Sequence, residues 1–366
     1  MISMVALTGY RDQPTDGVVD FCNFLSRALA KHRVQLQVVT LPLDERGSGL
    51  RALRRLWREA RAWRFHWVLL QYTTLAWSRR GFPLLALAAL AILKIRGTRC
   101  TIVFHEPAGM NGPHAIDHIR YGFQNWTVQT LHRFSEKSVF TVPLNMIPWL
   151  KSAREKSAFI PLGANIPENL TQRTAAAASE RTQKTVAVFC VSEPPYRQRE
   201  IDEISSAARS VAAATGMKFR VLFVGRGTSE AKDEIDHAFQ GSQIEVCNRG
   251  LCEAEEITRL LGESDVMLAV RGRLYLRRAS ALAGVACGLP MIGYAGAAQG
   301  TIIEEAGIKL VPFGDREALS TALRDILTNP DLWLEMHEKN VRVQRQYFSW
   351  DAVATEYLKF FAEEPA

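Results

Sequence analysis

No two cysteines in this sequence are spaced C-x-x-C, and no histidine stands at metal-ligand spacing from one. The six cysteines, Cys22, Cys100, Cys190, Cys247, Cys252 and Cys287, are scattered over 366 residues. Neither a zinc site nor a disulfide framework is indicated, and small buried thiols in a reduced, cytoplasmic protein are the expectation. Long apolar runs are lacking too. The most apolar segment, residues 82–93, falls short of the ~20 residues that span a bilayer. Residues 1–8 lack the charged-then-apolar layout of a secretory signal. A soluble protein, or one lying peripherally on a membrane, is expected. There is no short internal repeat, no heptad array and no nucleic-acid recognition module, so no nucleic-acid partner is expected.

What the chain does have is size and positive charge. At 366 residues, 47% of them hydrophobic, it is long for a single core, and two domains are expected. A net charge of +7 suits anionic partners such as nucleotides, phosphosugars or an acidic membrane surface.

Strand-length apolar runs alternate with helical periodicity. The first half carries MVALTGY (4–10), VQLQVVTLP (34–42), WVLLQY (67–72), CTIVF (100–104), SVFTV (138–142) and AFIPL (158–162). A helix from Gly17 puts Val18, Cys22, Leu25 and Leu29 on one face. Residues 168–184, ENLTQRTAAAASERTQK, are small and polar and read as a linker. The alternation then restarts with TVAVFC (185–190), KFRVLFVG (218–225), QIEVC (243–247), DVMLAV (265–270), PMIGY (290–294) and IKLVPF (308–313), and helices follow over 316–327, 330–347 and 350–361. This pattern predicts an α/β protein of two doubly wound, Rossmann-like domains, 1–167 and 185–347, facing a cleft. Ligands would sit beyond the carboxyl ends of the strands.

The stretch RGRLYLRRASALAGVACGLPMIGY (271–294) has four arginines in its first eight residues and no acid. With a strand ending at Val270 and a helix starting near Ala279, Arg271, Arg273, Arg277 and Arg278 are expected in the loop and at the helix entrance. Free backbone N–H groups and the helix dipole favour an anion there, and guanidinium forks grip phosphate. A solvated loop whose arginines pair with surface acids is the alternative.

ACGLPMIGYAG (286–296), the segment GTIIEEAGIKLVPFGDREALSTALRDIL (300–327) and YFSWDAVATEYLKFF (347–361) resemble the donor-binding half and closing helix of family-4 glycosyltransferases of the GT-B fold. TDGVVDFCNFLSRAL (15–29), FHEP (104–107) and IPLGANIP (160–167) are similar to the matching parts of the family's first half. The resemblance covers nearly the whole chain and is sharpest from Val221 onward. It implies a closing helix, 348–366, that crosses back to the first domain. It also implies a retaining, metal-independent transferase using a nucleotide-diphosphate sugar of the UDP or GDP type, with no further cofactor.

Carried over by position, the resemblance gives Gly17, Arg199, Arg277, Arg278 and Ser280 to the donor phosphates, with Arg197 as the alternative to Arg199. It gives Leu251 and Cys252 to the nucleotide, and His105 and Glu106 to the reacting sugar. Gly225-Arg226-Gly227 lacks dinucleotide spacing and reads as a turn. The family's two donor-site glutamates are missing: Tyr275 and Ala283 stand in their places. A catalytically silent partner of another transferase is therefore a second expectation.

The basic, tryptophan-rich segment 51–67 and the Arg79-Arg80 region allow docking on an anionic membrane, where a glycan or lipid-linked acceptor would be met. A helix with a buried apolar stripe and solvated arginines explains the same residues.

Overall fold

The computed structural model describes residues 2–9, 17–43, 48–110, 112, 114–150, 154–170, 183–275, 279–296 and 302–362. The chain divides into two compact units, residues 1–162 with 350–366 and residues 163–349.

Unit 1 runs β1 (Ile2–Gly9), α1 (Gly17–Lys31), β2 (Val34–Leu41), α2 (Ser48–Glu59), β3 (Trp67–Tyr72), α3 (Thr74–Trp77), α4 (Leu84–Ile95), β4 (Arg99–Phe104), α5 (Ala115–Phe134), β5 (Lys137–Phe140) and β6 (Ser157–Phe159). Its sheet is parallel, in the order β2-β1-β3-β4-β5-β6. β3 and β4 are buried from Val68 to Tyr72 and from Cys100 to Phe104, because helices cover both faces of a parallel sheet. Edge strand β2 alternates instead, with Val34 and Leu36 inside and Gln35 and Gln37 outside. α1 buries Cys22, Leu25 and Leu29 as its periodicity predicts, while Val18 is half-buried. β6 stops at Phe159, short of the run to Leu162 read from the sequence.

Unit 2 runs β7 (Lys184–Phe189), α6 (Arg197–Thr215), β8 (Phe219–Val224), α7 (Lys232–Phe239), β9 (Glu245–Asn248), α8 (Ala254–Gly262), β10 (Val266–Arg273), α9 (Ala279–Ala286), β11 (Met291–Tyr294), β12 (Ile308–Val311), α10 (Arg316–Thr328) and α11 (Pro330–Val343). The parallel order is β12-β11-β10-β7-β8-β9. Counted within the unit, this is the 3-2-1-4-5-6 order of dinucleotide-binding sheets, and the winding reverses between β7 and β10. Local chemistry sets the helix ends. Asn329 caps α11 by accepting from the N–H groups of Asp331 and Leu332, with Pro330 at the first position, and α6 stops at Gly216 with φ +65°.

One expectation is corrected here. β10 does not end at Val270 but continues to Arg273, so Arg271 and Arg273 lie on the strand and not in a loop. Gly272, at φ +94°, takes up a register shift that moves β10 pairing from Ala269–Gly293 to Arg273–Tyr294. Arg277 and Arg278 lie outside the described residues, as does 171–182 of the expected linker. Residues 168 and 169 are fastened within unit 2: Glu168 accepts from the Gln344 side chain at 3.0 Å, and the Asn169 N–H donates to Ala286 O at 3.0 Å.

After a π-turn over Gln344–Phe348, the chain enters α12 (Trp350–Ala362). Trp350, Val353, Ala354, Tyr357 and Phe360 join the unit 1 core of Met4, Phe21, Leu25, Leu69 and Val103. Each large apolar side chain buried this way contributes about 1.5–3 kcal/mol. Among the described residues, no helix is long and apolar enough to cross a membrane.

Candidate functional site

Ligands of doubly wound sheets collect outside the carboxyl ends of the strands where the winding reverses. In unit 2 that place is the ends of β7 and β10, and basic residues surround it. α6 starts just beyond β7, and its first turn carries both Arg197 and Arg199. Arg197 is consumed structurally. It donates to Ser192 O at 3.2 Å and to Glu230 O at 3.1 Å, and pairs with Glu234 at 3.4 Å.

Arg199 is held differently. Its guanidinium lies 4.7 Å from the Phe313 ring centroid and 3.8 Å from the carboxylates of Glu200 and Glu203. Those are ion-pair distances, longer than hydrogen bonds, so the fork keeps donors for a ligand. Both acids are buried and otherwise engaged. Glu200 accepts from the Ser192 N–H at 2.9 Å, and Glu203 accepts from the Tyr294 hydroxyl at 2.7 Å.

Arg273, at the end of β10, lies 5.2 Å from the same Phe313 ring and donates to Ala295 O at 3.0 Å. Tyr294 meets that ring edge-on at 5.1 Å. The ends of β10, β11 and β12 and the first turn of α6 therefore converge on two guanidiniums resting against one phenyl ring. Among the described residues, no carboxylate lies within 4.0 Å of Arg273. Arg226 and Arg271 complete the basic surround: their charges oppose the burial that pushes the Cys190 thiol up.

Glycines shape the rim. At Gly227 (φ +83°) a Cβ would lie 2.3 Å from Val191 O, so only glycine lets the turn after β8 approach the loop after β7 so closely. The turn read at 225–227 is thus present, with Gly225 N–H donating to Gly250 O at 2.7 Å. Leu251 and Cys252 follow β9, the outermost strand on this side. Leu251 is exposed, and the Cys252 thiol faces Arg249 O at 3.6 Å. Ser280 is buried in the first turn of α9. Of the positions lacking glutamates, Tyr275 is exposed and Ala283 is buried.

In unit 1 the sheet reverses between β1 and β3. His105 follows β4 beside that point. Its N–H donates to Tyr72 O at 3.1 Å, its Nε2 lies 2.9 Å from Gln71 Oε1, and the edge-on Phe21 ring is 5.2 Å away. Because an amide oxygen can only accept, Nε2 carries the proton in this arrangement. Glu106 is half-buried and accepts from the Thr74 N–H at 2.8 Å, at the start of α3, so its carboxylate holds a loop. Gly17 is the exposed first residue of α1, and residues 10–16 before it lie outside the described set.

Sequence reasoning did not single out Glu203, Tyr294, Phe313 or Gln71. Only Glu203 left a signal, its i,i+4 spacing from Arg199 on a helix.

No protein-family model matches the chain, and no curated protein matches it. Solved structures do. Sucrose-phosphate synthase from Thermosynechococcus elongatus is similar with a TM-score of 0.66 at 16% identity, over 99% of this chain and 98% of that one. HepE of Anabaena in complex with UDP gives 0.69 at 12% identity, over 99% and 100%. A Listeria monocytogenes protein provisionally described as a UDP-N-acetylglucosamine 2-epimerase gives 0.64 at 11%, over 99% and 98%. At these identities the likeness establishes the fold, which is GT-B, with two Rossmann-like units in one chain. A synthase and an epimerase share that fold, so the chemistry must be argued from residues.

Proposed function

We propose that the protein is a glycosyltransferase that moves a sugar from a nucleotide-diphosphate sugar to a glycan or lipid-linked acceptor. The observation that carries this reading is the pair Arg199 and Arg273 on Phe313, at the reversal point of a dinucleotide-binding sheet. Two forks at that position suit a diphosphate, whose charge grows as the sugar departs. UDP bound to the structural relative HepE agrees with a uridine nucleotide.

In a retaining, front-face transfer, the acceptor oxygen bonds to the anomeric carbon as the bond from that carbon to the diphosphate oxygen breaks. The acceptor's proton passes to the leaving phosphate. No metal is required in this scheme: Arg199 and Arg273, with Arg277 and Arg278, neutralise the leaving group. Gly17, Ser280, Leu251 and Cys252 contribute to donor binding, and His105 orients the sugar.

One observation favours a second reading, a silent partner of another transferase. Ala283 is buried and Tyr275 carries no acid, so neither usual glutamate contact to the donor can form. Calorimetry with UDP and GDP, followed by a panel of UDP- and GDP-sugars read by nucleotide release, separates the two. Nucleotide binding with acceptor-dependent release is the expected result. Binding without turnover on any donor favours the silent partner. Failure of both nucleotides to bind, or sugar conversion without nucleotide release, overturns the transferase.

A further inference from the structure

A cavity of about 450 Å³ opens in unit 1 against the C-terminal half of α5, lined by Trp126, Gln129, Thr130, His132, Arg133 and Trp149, with Leu150 and Lys156. It belongs to no part of the proposed donor site, and its size falls within the range of small-molecule pockets. Its chemistry is consistent. Trp126 is half exposed. Trp149 is fixed in place, its Nε1–H donating to Pro107 O at 2.7 Å and its ring packing on His132 at 5.5 Å and Phe140 at 5.9 Å.

Gln129 and Thr130 add amide and hydroxyl groups on the same helix, one turn from Trp126. The ring of His132, a residue 7% exposed, places Nδ1 2.9 Å from Ser138 Oγ, and its Nε2 is buried with no hydrogen-bond partner among the described residues. Among the described residues, no acid lines the cavity. Lys156 spends its donors on the carbonyls of His132 and Arg133 at the end of α5 and of the capping Ser135. Arg133 is exposed, lies 5.8 Å from the Phe134 ring, and has no carboxylate partner among the described residues.

We infer that this cavity is a saccharide-binding pocket for a glycan bearing carboxylates, separate from the transfer site. The electron-rich indole faces attract the polarised C–H edge of a sugar ring. Gln129 and Thr130 meet its hydroxyls, and Arg133 takes a uronate carboxylate as a fork takes a carboxylate anywhere. A lipid headgroup would find the same cation, but the two indoles and the helix amide reward a ring with hydroxyls on its rim. The pocket lies wholly within unit 1 and needs no turnover to be tested, so it stands or falls independently of the transferase reading.

The test titrates the full chain with a hexasaccharide of alternating glucuronate and N-acetylglucosamine, and with its carboxyl-reduced neutral counterpart, reading tryptophan fluorescence. Binding of the acidic form, at least tenfold tighter than the neutral one, is expected. Trp126→Ala should weaken it at least tenfold. Arg133→Gln, a change at an exposed residue with no carboxylate partner among the described residues, should erase the preference for the acidic form. The urea-unfolding midpoint, measured in parallel, should stay unchanged in both variants and so reports an intact fold. The inference is overturned if the wild type binds neither oligosaccharide, if Trp126→Ala binds as the wild type does, or if anionic vesicles alone perturb the Trp126 signal.

Discussion

Tyr294, at the end of β11, donates its hydroxyl hydrogen to the buried Glu203 carboxylate across 2.7 Å, and so fixes the acid that faces Arg199. Burial first, and then that carboxylate, push the tyrosine's pKa well above its usual value. Removing the hydroxyl leaves a buried carboxylate short of a donor. Tyr294→Phe should therefore cost about 1–3 kcal/mol in urea unfolding. Adding Glu203→Leu should restore part of the loss, because two apolar groups replace a broken polar pair. In the double variant Arg199 has lost its Glu203 anchor, so UDP affinity should fall while stability recovers. Equal stability of all three proteins would show that the pair carries no weight.

The two arginines of α6's first turn should separate cleanly. Arg199→Ala and Arg273→Ala should each weaken UDP binding by about 1.5–3 kcal/mol in calorimetry, the value of hydrogen bonds to a charged group. Arg197→Ala should instead lower the unfolding midpoint and leave nucleotide affinity near that of the wild type, since its contacts go to Ser192, Glu230 and Glu234. A binding defect in Arg197→Ala with Arg199→Ala silent would reverse the assignment.

His132 predicts a pH effect. Burial, and next the nearby Lys156 charge, lower its pKa to about 4. The folded protein then keeps a neutral ring at pH values where the unfolded chain has already protonated it. Stability from this residue is complete above about pH 6.5 and is lost as pH falls toward 4. Urea midpoints of the wild type and His132→Gln should draw together over that interval. Parallel curves would refute the linkage.

Membrane docking has a defined face to test. On α2, Ala52 and Leu56 are buried while Arg51, Arg54, Arg55 and Arg58 are exposed. Arg55 pairs with Glu59 on the same helix at 2.6 Å. Trp57 lies under the Arg96 guanidinium at 3.7 Å. Each cation near an anionic surface contributes about 1 kcal/mol. Co-sedimentation with anionic vesicles should disappear when Arg54, Arg55 and Arg58 are reversed to glutamate, and should weaken in salt. Sedimentation with neutral vesicles, or with none, would leave these arginines as a solvated helix face.

The sequence revealed the strands well because a parallel sheet covered on both faces demands unbroken apolar runs, and WVLLQY is β3 residue for residue. It failed where backbone pairing continued without apolar side chains. Arg271, Gly272 and Arg273 read as a loop, yet they remain on β10 because Gly272 accommodates the register shift. The site was less legible. His105 and Arg199 could be picked out by position, but Phe313 read only as the end of an apolar strand. Its role appears once residues 199, 273, 294 and 313 are brought together by folding, and no local pattern encodes that. Glu106 was legible as the acid beside His105, but sequence could not show that its carboxylate accepts from the Thr74 N–H.

The return of the chain to unit 1 through α12 has a consequence for biosynthesis. Phe21 and Phe24 pack on Trp350, at 5.3 Å each, and Lys31 pairs with Asp351 at 2.7 Å. A ribosome that has delivered all of β1 to β6 has therefore delivered only part of that core, whereas residues 163–349 can complete theirs earlier. Vectorial synthesis ordinarily lets the N-terminal portion fold first. Here part of the first unit's core, the cluster of Met4, Phe21, Leu25 and Leu69, is complete only once Trp350 to Phe360 have been synthesised.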